Sequence, residues 1–240
     1  MVTSNINLNI SVDCVLFGYD GEALKVLLVN QTGKASNGKF HDRKLPGSLI
    51  YNHESLDDAA KRVLKELTGL DNIELHQLKA YGELDRTSNP EDTLWLKRFM
   101  QLPQQVTRIV TVAYFALIKL EPKAYQLSGR HKATWMDIQE IGPLAFDHNK
   151  IIKDAVRKLR SDVDESPHIY FELLPKKFTI TQFRKLSQVI LNINFDVRNF
   201  SKRVLALPYI KRLDERETNV AHRAAYLYRF DKGEYKKLRK

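Results

Sequence analysis

The sequence predicts an α/β protein of two domains, of which the second consists of helices and a β-hairpin. Three observations lead to this prediction. Strand-like runs alternate with amphipathic helices in the first part of the chain, a capped pair of helices follows, and the net charge differs sharply between the two parts. The predicted domains are residues 1–160 and 161–240.

Two strands open the first domain. Apolar residues dominate 12–18 and 24–29, and Asp20-Gly21 between them is a hairpin-turn signal. An apolar stripe then predicts a helix over 55–67, which Gly69 would end. The remaining predicted elements are strands near 78–84 and at 108–118 and an amphipathic helix over 148–160. This order of elements predicts an α/β/α sandwich.

A change of pattern follows the last of these helices. The polar stretch SDVDESPH (161–168) is expected to be a linker between the domains. Beyond it, Thr179 is placed to cap a helix, and Gln182 three residues later completes the spacing of a capping box. We therefore expect the second domain to begin with a helix over the apolar positions that follow Thr179.

A second helix and a hairpin complete the C-terminal pattern. Asp196 is placed as its N-cap, with Phe195 and Phe200 at the positions of a hydrophobic staple across it. Strand patterns at 209–213 and 224–230 then flank a polar loop. Helix, short turn, helix and two-stranded hairpin form the outline of a winged helix-turn-helix.

The composition excludes several classes of protein. The 240 residues are 43% hydrophobic and 28% charged, as in ordinary globular proteins. The longest apolar run, 109–118, is about half of what a bilayer span requires, and the N-terminus has no signal-peptide pattern, so we expect a cytoplasmic protein without a membrane partner. Cys14 is the only cysteine, which excludes an intrachain disulfide and a Cys-rich zinc site. We expect Cys14 to be a small buried residue rather than a nucleophile.

Positive charge is confined to the C-terminal part of the chain. The net charge is +10 overall, but residues 1–149 carry −1 and residues 150–240 carry +11. A basic surface that is merely solvated would explain this asymmetry, and so would a module that binds a polyanion.

The stretch LPGSLIYNHESLDDAAKRVLKELTGL (45–70) resembles the Nudix box, G-x5-E-x7-R-E-U-x-E-E-x-G-U, where U is a bulky aliphatic residue. The box is degenerate. Its matching residues are Glu54, Arg62, Glu66 and Gly69, whereas Ser48 stands at the opening glycine, preceded by Gly47, and Val63 and Leu67 replace two glutamates.

The lost glutamates bear on catalysis. In Nudix enzymes, carboxylates on this helix hold Mg²⁺ or Mn²⁺ against a diphosphate, and the resemblance implies that the same helix is the place to look for a metal site here. A hard cation needs several oxygen ligands. With only Glu66 left on the helix, the sequence predicts no metal site, no catalytic residues and no cofactor. Glu54 and Arg62 are expected to form a structural ion pair. The protein is therefore predicted not to be an enzyme.

The helix that opens at Asp196 is the predicted recognition helix. A rotation of 100° per residue places Val197, Phe200, Val204 and Leu207 on its inner side. Polar and basic side chains of the kind that contact bases and phosphates face outward. The predicted DNA-binding residues are Arg198, Asn199, Ser201, Lys202 and Arg203 on this helix, Thr179 and Thr181 on the preceding one, and Arg216, His222 and Arg223 in the wing. His222 is interpreted as a phosphate contact rather than a metal ligand, because no second His or Cys lies at ligand spacing.

Together these motifs resemble those of the Nudix-related transcriptional regulators, in which a Nudix-like sensor domain precedes a winged helix-turn-helix. The phrases that carry the resemblance are RIVTVAYFALI, PLAFDHNKII, and ELLPKKFTITQF leading to RNFSKRVL. The chain is most similar to the arabinose-responsive repressors of sugar-utilisation genes, while related regulators of NAD biosynthesis sense ADP-ribose. The resemblance implies a homodimer on a pseudo-palindromic double-stranded operator DNA, from which a small molecule releases or repositions it.

On this resemblance we expect L-arabinose or a related pentose as the effector. The candidate effector-binding residues are Lys44, Glu66, Glu83, Arg86 and Trp95. Trp95 is equally compatible with a place in the core or at a dimer interface. Three alternatives stay open at this point: an ADP-ribose-sensing regulator, a Nudix hydrolase of ADP-ribose-like substrates, and a scaffold or RNA-binding protein.

Overall fold

The computed structural model of the chain describes residues 6–30, 43–88, 92, 108–122, 124–126, 132–218, 221 and 223–238. The chain forms two compact units, one of residues 1–18 and 25–158 and one of residues 19–24 and 159–240. Within the described ranges, no helix combines the length and the apolar character needed to cross a bilayer.

A seven-stranded sheet forms the centre of the first unit. Its strands are β1 (Ile6–Tyr19), β2 (Leu24–Asn30), β3 (Arg43–Lys44), β4 (Gly47–Tyr51), β5 (His76–Tyr81), β6 (Val110–Lys119) and β7 (Ala133–Asp137). The order is β3-β2-β1-β6-β5, with β4 paired to β1 and β7 paired to β2. Strands β3, β4 and β7 were not predicted, because runs of two to five residues are too short to show an alternating pattern.

Helix α1 (Leu56–Thr68) begins and ends as its sequence predicts. The side chain of Ser55 accepts the backbone N–H of Asp58 at the N-terminus. Gly69 closes the C-terminus with a φ of 73°, a left-handed conformation that glycine adopts without strain. The buried face of α1 consists of Ala59, Ala60, Val63, Leu64 and Thr68.

Helix α1 and helix α2 (His148–Glu165) lie on opposite faces of the sheet. Val63 of α1 packs with Val112 of β6. Tyr81 of β5 lies opposite Thr111 of β6, and its hydroxyl donates to Asp154 of α2 at 3.0 Å. Directly opposed residues share a face of the sheet, whereas consecutive residues of a strand point to opposite faces. The α/β/α layering predicted from the order of elements is therefore present.

The expectation of a linker at 161–168 was wrong for its first five residues, because α2 continues to Glu165. Leu159 and Val163 are both buried, so the core-facing stripe of the helix runs past residue 160 at a spacing of four. The polar composition of this stretch concealed the helix, since Val163 is its only apolar residue. A 3₁₀ turn, Pro167–Ile169, follows.

The second unit contains a helix-turn-helix and a hairpin. Its elements after α2 are α3 (Tyr170–Leu173), α4 (Ile180–Leu191), α5 (Val197–Leu205), β8 (Ile210–Arg216), β9 (Tyr226–Phe230) and α6 (Lys232–Leu238). Strands β8 and β9 pair antiparallel, and Phe178 forms an isolated bridge with Tyr228 of β9. The predicted order of helix, turn, helix and hairpin is confirmed.

The predicted caps of this unit are present. Thr179 and Gln182 form the capping box of α4, and Asp196 accepts the N–H of Asn199 at the start of α5. The rings of Phe195 and Phe200 lie 5.2 Å apart, as expected of a hydrophobic staple.

The core of the second unit is rich in aromatic rings. The ring of Phe183 contacts those of Phe171, Phe178 and Phe200 at centroid distances of 5.2, 6.0 and 5.5 Å. Phe200 and Val204 fix the buried side of α5 in this core. The expectation that Val197 also faces inward was wrong, because its side chain is 56% exposed. The first turn of α5 extends beyond the core, and the 100° rotation alone does not reveal where the supporting surface ends.

Candidate functional site

A pocket opens on the first unit, where β1, β3, β4 and the start of α2 converge. Its cavity volume is about 30 Å³, and it is open to solvent at its mouth. Its polar lining residues are Ser11, Asp13, Lys44, Ser48, Arg86 and His148, joined by Phe146. These side chains come from strands, from the turn after β5 and from the N-terminus of α2, so the fold assembles them from distant parts of the chain.

Asp13 is the centre of a buried ionic cluster beside this pocket. Its Oδ2 lies 3.2 Å from Nη2 of Arg86, and its Oδ1 lies 3.4 Å from Nε2 of His148. Arg86 also places Nε 2.8 Å from Oδ1 of Asp147. A single guanidinium therefore holds two carboxylates, as its planar fork of donors allows.

Hydrogen bonding defines the tautomer of His148. The backbone N–H of Leu45 donates to Nδ1 at 3.2 Å, so that nitrogen accepts and the N–H of the ring lies on Nε2, which faces Asp13. Burial alone would raise the pKa of Asp13, but His148, Arg86 and Thr111 outweigh it and hold the pKa well below the usual range. Burial raises the pKa of Asp147 despite its contact with Arg86.

Lys44 is a second buried cation that lines the pocket. Its Nζ donates to the carbonyl oxygen of Gly47 at 2.7 Å. Burial lowers the pKa of Lys44 to about 8, although the charge of Asp13 opposes the shift. Gly47 is required here, since a Cβ at this position would lie 1.8 Å from Oδ1 of Asp13. The retained glycine thus allows the carboxylate of Asp13 to approach strand β4.

Phe146 provides an aromatic surface at the pocket. It has a φ of 56°, a left-handed conformation that bulky residues rarely adopt, and its N–H donates to Oδ1 of Asp92 at 2.9 Å. Its ring lies 5.4 Å from that of His148, and the guanidinium of Arg86 lies 5.9 Å from the ring centroid. Asp13, Phe146 and His148 were not among the predicted effector residues. The motif LAFDH, which carries part of the family resemblance, contains Phe146 and His148 and could have indicated both.

The predicted effector-binding residues are not all placed together. Lys44 and Arg86 line the pocket. Glu66 lies on the exposed face of α1 and pairs with Arg62 at 3.1 Å, and Glu83 pairs with Lys150. Neither glutamate is among the residues that line the pocket. Trp95 lies outside the described residues.

The degenerate box forms a structural ion pair. Arg62 donates from Nε and Nη2 to the two oxygens of Glu54 at 2.8 and 2.5 Å, and the backbone N–H of Tyr51 also donates to Glu54 at 2.7 Å. Hydrogen bonding to Arg62 lowers the pKa of Glu54. The guanidinium also lies 4.0 Å from the centroid of the Tyr51 ring. The pair ties β4 and the following turn to α1.

The box residues do not fit the divalent cation that the Nudix family implies. Val63 is fully buried, and Leu67 packs against the two core clusters beneath α1. Glu54 is engaged by Arg62, which also contacts Glu66. Across the described ranges, no group of three or more His, Cys, Asp or Glu side chains is arranged to hold a metal ion.

Restoring a box glutamate should therefore harm the fold. We expect Val63→Glu to lower the free energy of unfolding by about 2–3 kcal/mol, because it places a carboxyl group in a fully apolar core. Lys61→Glu on the exposed face of α1 is the matched control and should change it by less than about 0.5 kcal/mol. Urea denaturation measures both. A Val63→Glu variant as stable as the parent would mean that this position faces solvent.

The exposed face of α5 carries four of the ten predicted DNA-binding residues. Arg198, Asn199, Lys202 and Arg203 are exposed and lie near the N-cap and along the outer side of the helix. Ser201 is half-buried, and its hydroxyl donates to the carbonyl of Val197 at 2.7 Å. The hydroxyl proton of Ser201 is therefore used in a hydrogen bond within α5.

The other predicted DNA contacts lie on α4 and in the wing. Thr179 is buried, and its hydroxyl accepts the N–H of Gln182, an arrangement that favours a capping role over a DNA contact. Thr181 is exposed on the first turn of α4. Arg216 and Arg223 are exposed, whereas His222 lies outside the described residues.

Comparisons with known proteins agree with this architecture. A family model described as the NUDIX domain matches residues 7–159, and one described as the NrtR DNA-binding winged helix domain matches residues 170–230. The fold class predicted from the sequence, an α/β Nudix fold followed by a winged helix domain, is thereby confirmed.

Individual relatives cover nearly the whole chain. The ADPR responsive transcriptional repressor NtrR of Acinetobacter baylyi is 26% identical over 229 residues, which cover 94% of this chain and 83% of that protein. The crystal structure of Shewanella oneidensis NrtR complexed with a 27mer DNA is 26% identical with a TM-score of 0.65, and covers 93% of this chain and 94% of that chain. A MutT/nudix family protein from Enterococcus faecalis has a TM-score of 0.62 at 24% identity, covers 96% of this chain and 89% of that chain, and is similar in fold.

Proposed function

The chain belongs to the Nudix family and ends in an NrtR-type winged helix, and on that premise we propose that it is an ADP-ribose-responsive transcriptional repressor. One observation carries the proposal: a repressor named as ADPR responsive aligns with 94% of the chain, through both domains. The expected effector, L-arabinose, has no such support. The assignment to the arabinose-responsive branch is corrected accordingly.

The pocket on the first unit is the proposed effector site. Lys44 and Arg86 supply hydrogen-bond donors on side chains that carry positive charge, which suits the diphosphate of ADP-ribose. Phe146 supplies an aromatic surface on which a base or a ribose could pack. A pentose offers neither a negative charge nor an aromatic ring to such a site.

The proposed mechanism is a population shift. A homodimer would place two α5 helices on the half-sites of a pseudo-palindromic operator, about one helical turn of DNA or a multiple apart. ADP-ribose would bind more tightly to a dimer geometry whose helix spacing does not match the operator. The extent of release would depend on the difference in ADP-ribose affinity between the two geometries.

The test is a mobility-shift titration on a duplex selected from a random library by repeated capture on the protein. We expect ADP-ribose to release the duplex and L-arabinose at equal concentration to leave it bound. Phe146→Asn should reduce the response to ADP-ribose about tenfold or more while leaving binding of the duplex unchanged, because asparagine tolerates the left-handed backbone but lacks the ring.

Two outcomes would contradict the proposal. Release by L-arabinose and not by ADP-ribose would restore the sugar-responsive alternative. Sustained hydrolysis of ADP-ribose in the presence of Mg²⁺ or Mn²⁺ would favour the hydrolase alternative and would require ligands other than the box residues described above.

A further inference from the structure

Two arginines of the wing share one tyrosine ring. In strand β8, the guanidinium carbons of Arg212 and Arg216 lie 4.8 and 4.1 Å from the centroid of the Tyr226 ring in β9. Arg216 also donates from Nη2 to the Tyr226 hydroxyl at 2.7 Å and from Nη1 to the carbonyl of Ala224 at 3.3 Å. All three side chains of this group are exposed.

The charge of this group is not neutralised by the part of the chain that the structure describes. Neither Arg212 nor Arg216 forms an ion pair with a described carboxylate. Their neighbours differ: Arg229 of β9 lies 3.2 Å from Asp231, and Lys177 lies 2.6 Å from Glu215. Among the described residues, the wing thus holds two cations on one ring without a carboxylate counterion, while Arg229 and Lys177 are paired.

This arrangement favours an anionic partner. Two guanidiniums on one ring repel each other, and at an exposed site the cation–π contacts are of the same order as that repulsion, so an anion between the two charges would add a net attraction. An anion with several acceptor oxygens could bind both at once, because each guanidinium presents a planar set of donors.

We propose that Arg212 and Arg216, positioned by Tyr226, form a phosphate-binding pair that takes one phosphate of the DNA backbone. This inference rests on the proposed function, since the charge excess of +11 in residues 150–240 makes DNA the fitting polyanion. Arg212 and Tyr226 were not among the predicted DNA contacts. Tyr226 is a positioning residue that acts through the two arginines.

The salt dependence of duplex binding tests the pair. The double variant Arg212→Ala/Arg216→Ala should lower the steepness of log K against log salt by about 0.9, the value for one phosphate contact. The ratio of parent to variant affinity should therefore shrink about 3.5-fold between 50 and 200 mM salt. The measurement uses the full chain with both the selected duplex and a random duplex.

Two further variants separate positioning from charge. Tyr226→Leu should lower the salt dependence nearly as much as the double variant, although it removes no charge. Arg229→Ala removes a charge but should leave the salt dependence unchanged, because Asp231 already neutralises that arginine. Tyr226→Phe keeps the ring and should keep the salt dependence of the parent. Circular dichroism and thermal melting establish that each variant is folded.

The outcomes distinguish this inference from the proposed function. If the parent binds duplex DNA but Tyr226→Leu and the double variant retain its salt dependence, the phosphate-binding pair is overturned and the repressor proposal stands. If the parent binds no duplex at any salt concentration, the proposed function fails. An equal decrease of the salt dependence in Arg229→Ala and in the double variant would also overturn the pair, because it would indicate that the removal of any wing charge has the same effect.

Discussion

Replacing Arg86 with methionine is expected to lower the free energy of unfolding by about 3–5 kcal/mol. Arg86 holds Asp13 and Asp147 together in a buried cluster, so its removal leaves two carboxylates without their shared cation. Methionine preserves much of the side-chain volume, and the loss therefore reports the charge interactions rather than a cavity. Urea denaturation at neutral pH measures it.

The loss in free energy of unfolding caused by Arg86→Met should depend on pH. The pKa of Asp13 lies below its unfolded value, so its stabilising contribution is present above the unfolded pKa and is lost as the pH falls through the folded pKa. Without Arg86, the pKa of Asp13 rises toward its unfolded value, so the folded variant takes up a proton at a higher pH than the folded parent does. The difference between parent and variant should thus be largest near pH 7 and shrink toward pH 4.

Two further variants test whether the loss of stability comes from the buried charge interactions of Arg86. Arg108→Met changes an exposed arginine that donates to the carbonyl of Gly82, and it should alter stability by less than about 0.5 kcal/mol. The double variant Asp13→Asn/Arg86→Met should recover part of the loss, because it leaves one fewer buried charge unpaired. A loss below about 1 kcal/mol in Arg86→Met would mean that water reaches the cluster.

Removing Arg198 and Lys202 together is expected to weaken binding of the selected duplex by a hundredfold or more. Both side chains are exposed on α5, whose opposite face is anchored by Phe200 and Val204. An arginine that contacts a guanine edge contributes about 1–3 kcal/mol of base discrimination, and a lysine on a phosphate contributes affinity without discrimination.

The single variants should therefore differ in kind. Arg198→Ala should lose more affinity for the selected duplex than for a random one, whereas Lys202→Ala should weaken both equally and reduce the salt dependence by about 0.9. Lys177→Ala is the control, because Glu215 already pairs with that lysine. Unchanged affinity in both α5 variants would show that another element enters the groove.

Features that depend on neighbouring residues were predicted correctly. The capping box at Thr179, the N-cap at Asp196 and the left-handed Gly69 each involve residues within four positions of one another. The Glu54–Arg62 pair was also predicted, because an eight-residue spacing fixes both groups on a turn and the following helix. Such features follow from local geometry, which a sequence contains in full.

The pocket could be predicted only in part, because its parts are far apart in sequence. Arg86 is 73 residues from Asp13, and Leu45 is 103 residues from His148. Strand register and the position of the start of α2 bring these residues together. Hydrophobic periodicity in a sequence does not indicate contacts between residues that are so far apart. Lys44 and Arg86 were selected for their proximity to the box and to the polar loop, while Asp13 reads as one polar position inside an apolar strand.

Cys14 also lies within this sheet, and its burial has a practical consequence. It is fully buried, its Sγ lies 3.9 Å from the carbonyl of Ala60, and burial together with the charge of Asp13 raises the pKa of the thiol well above its ordinary value. A buried thiol of this kind reacts slowly with maleimides and oxidants. The native chain therefore serves as its own cysteine-free background, and a single cysteine introduced on the exposed side of the wing would accept a fluorophore selectively, without further substitution of the core.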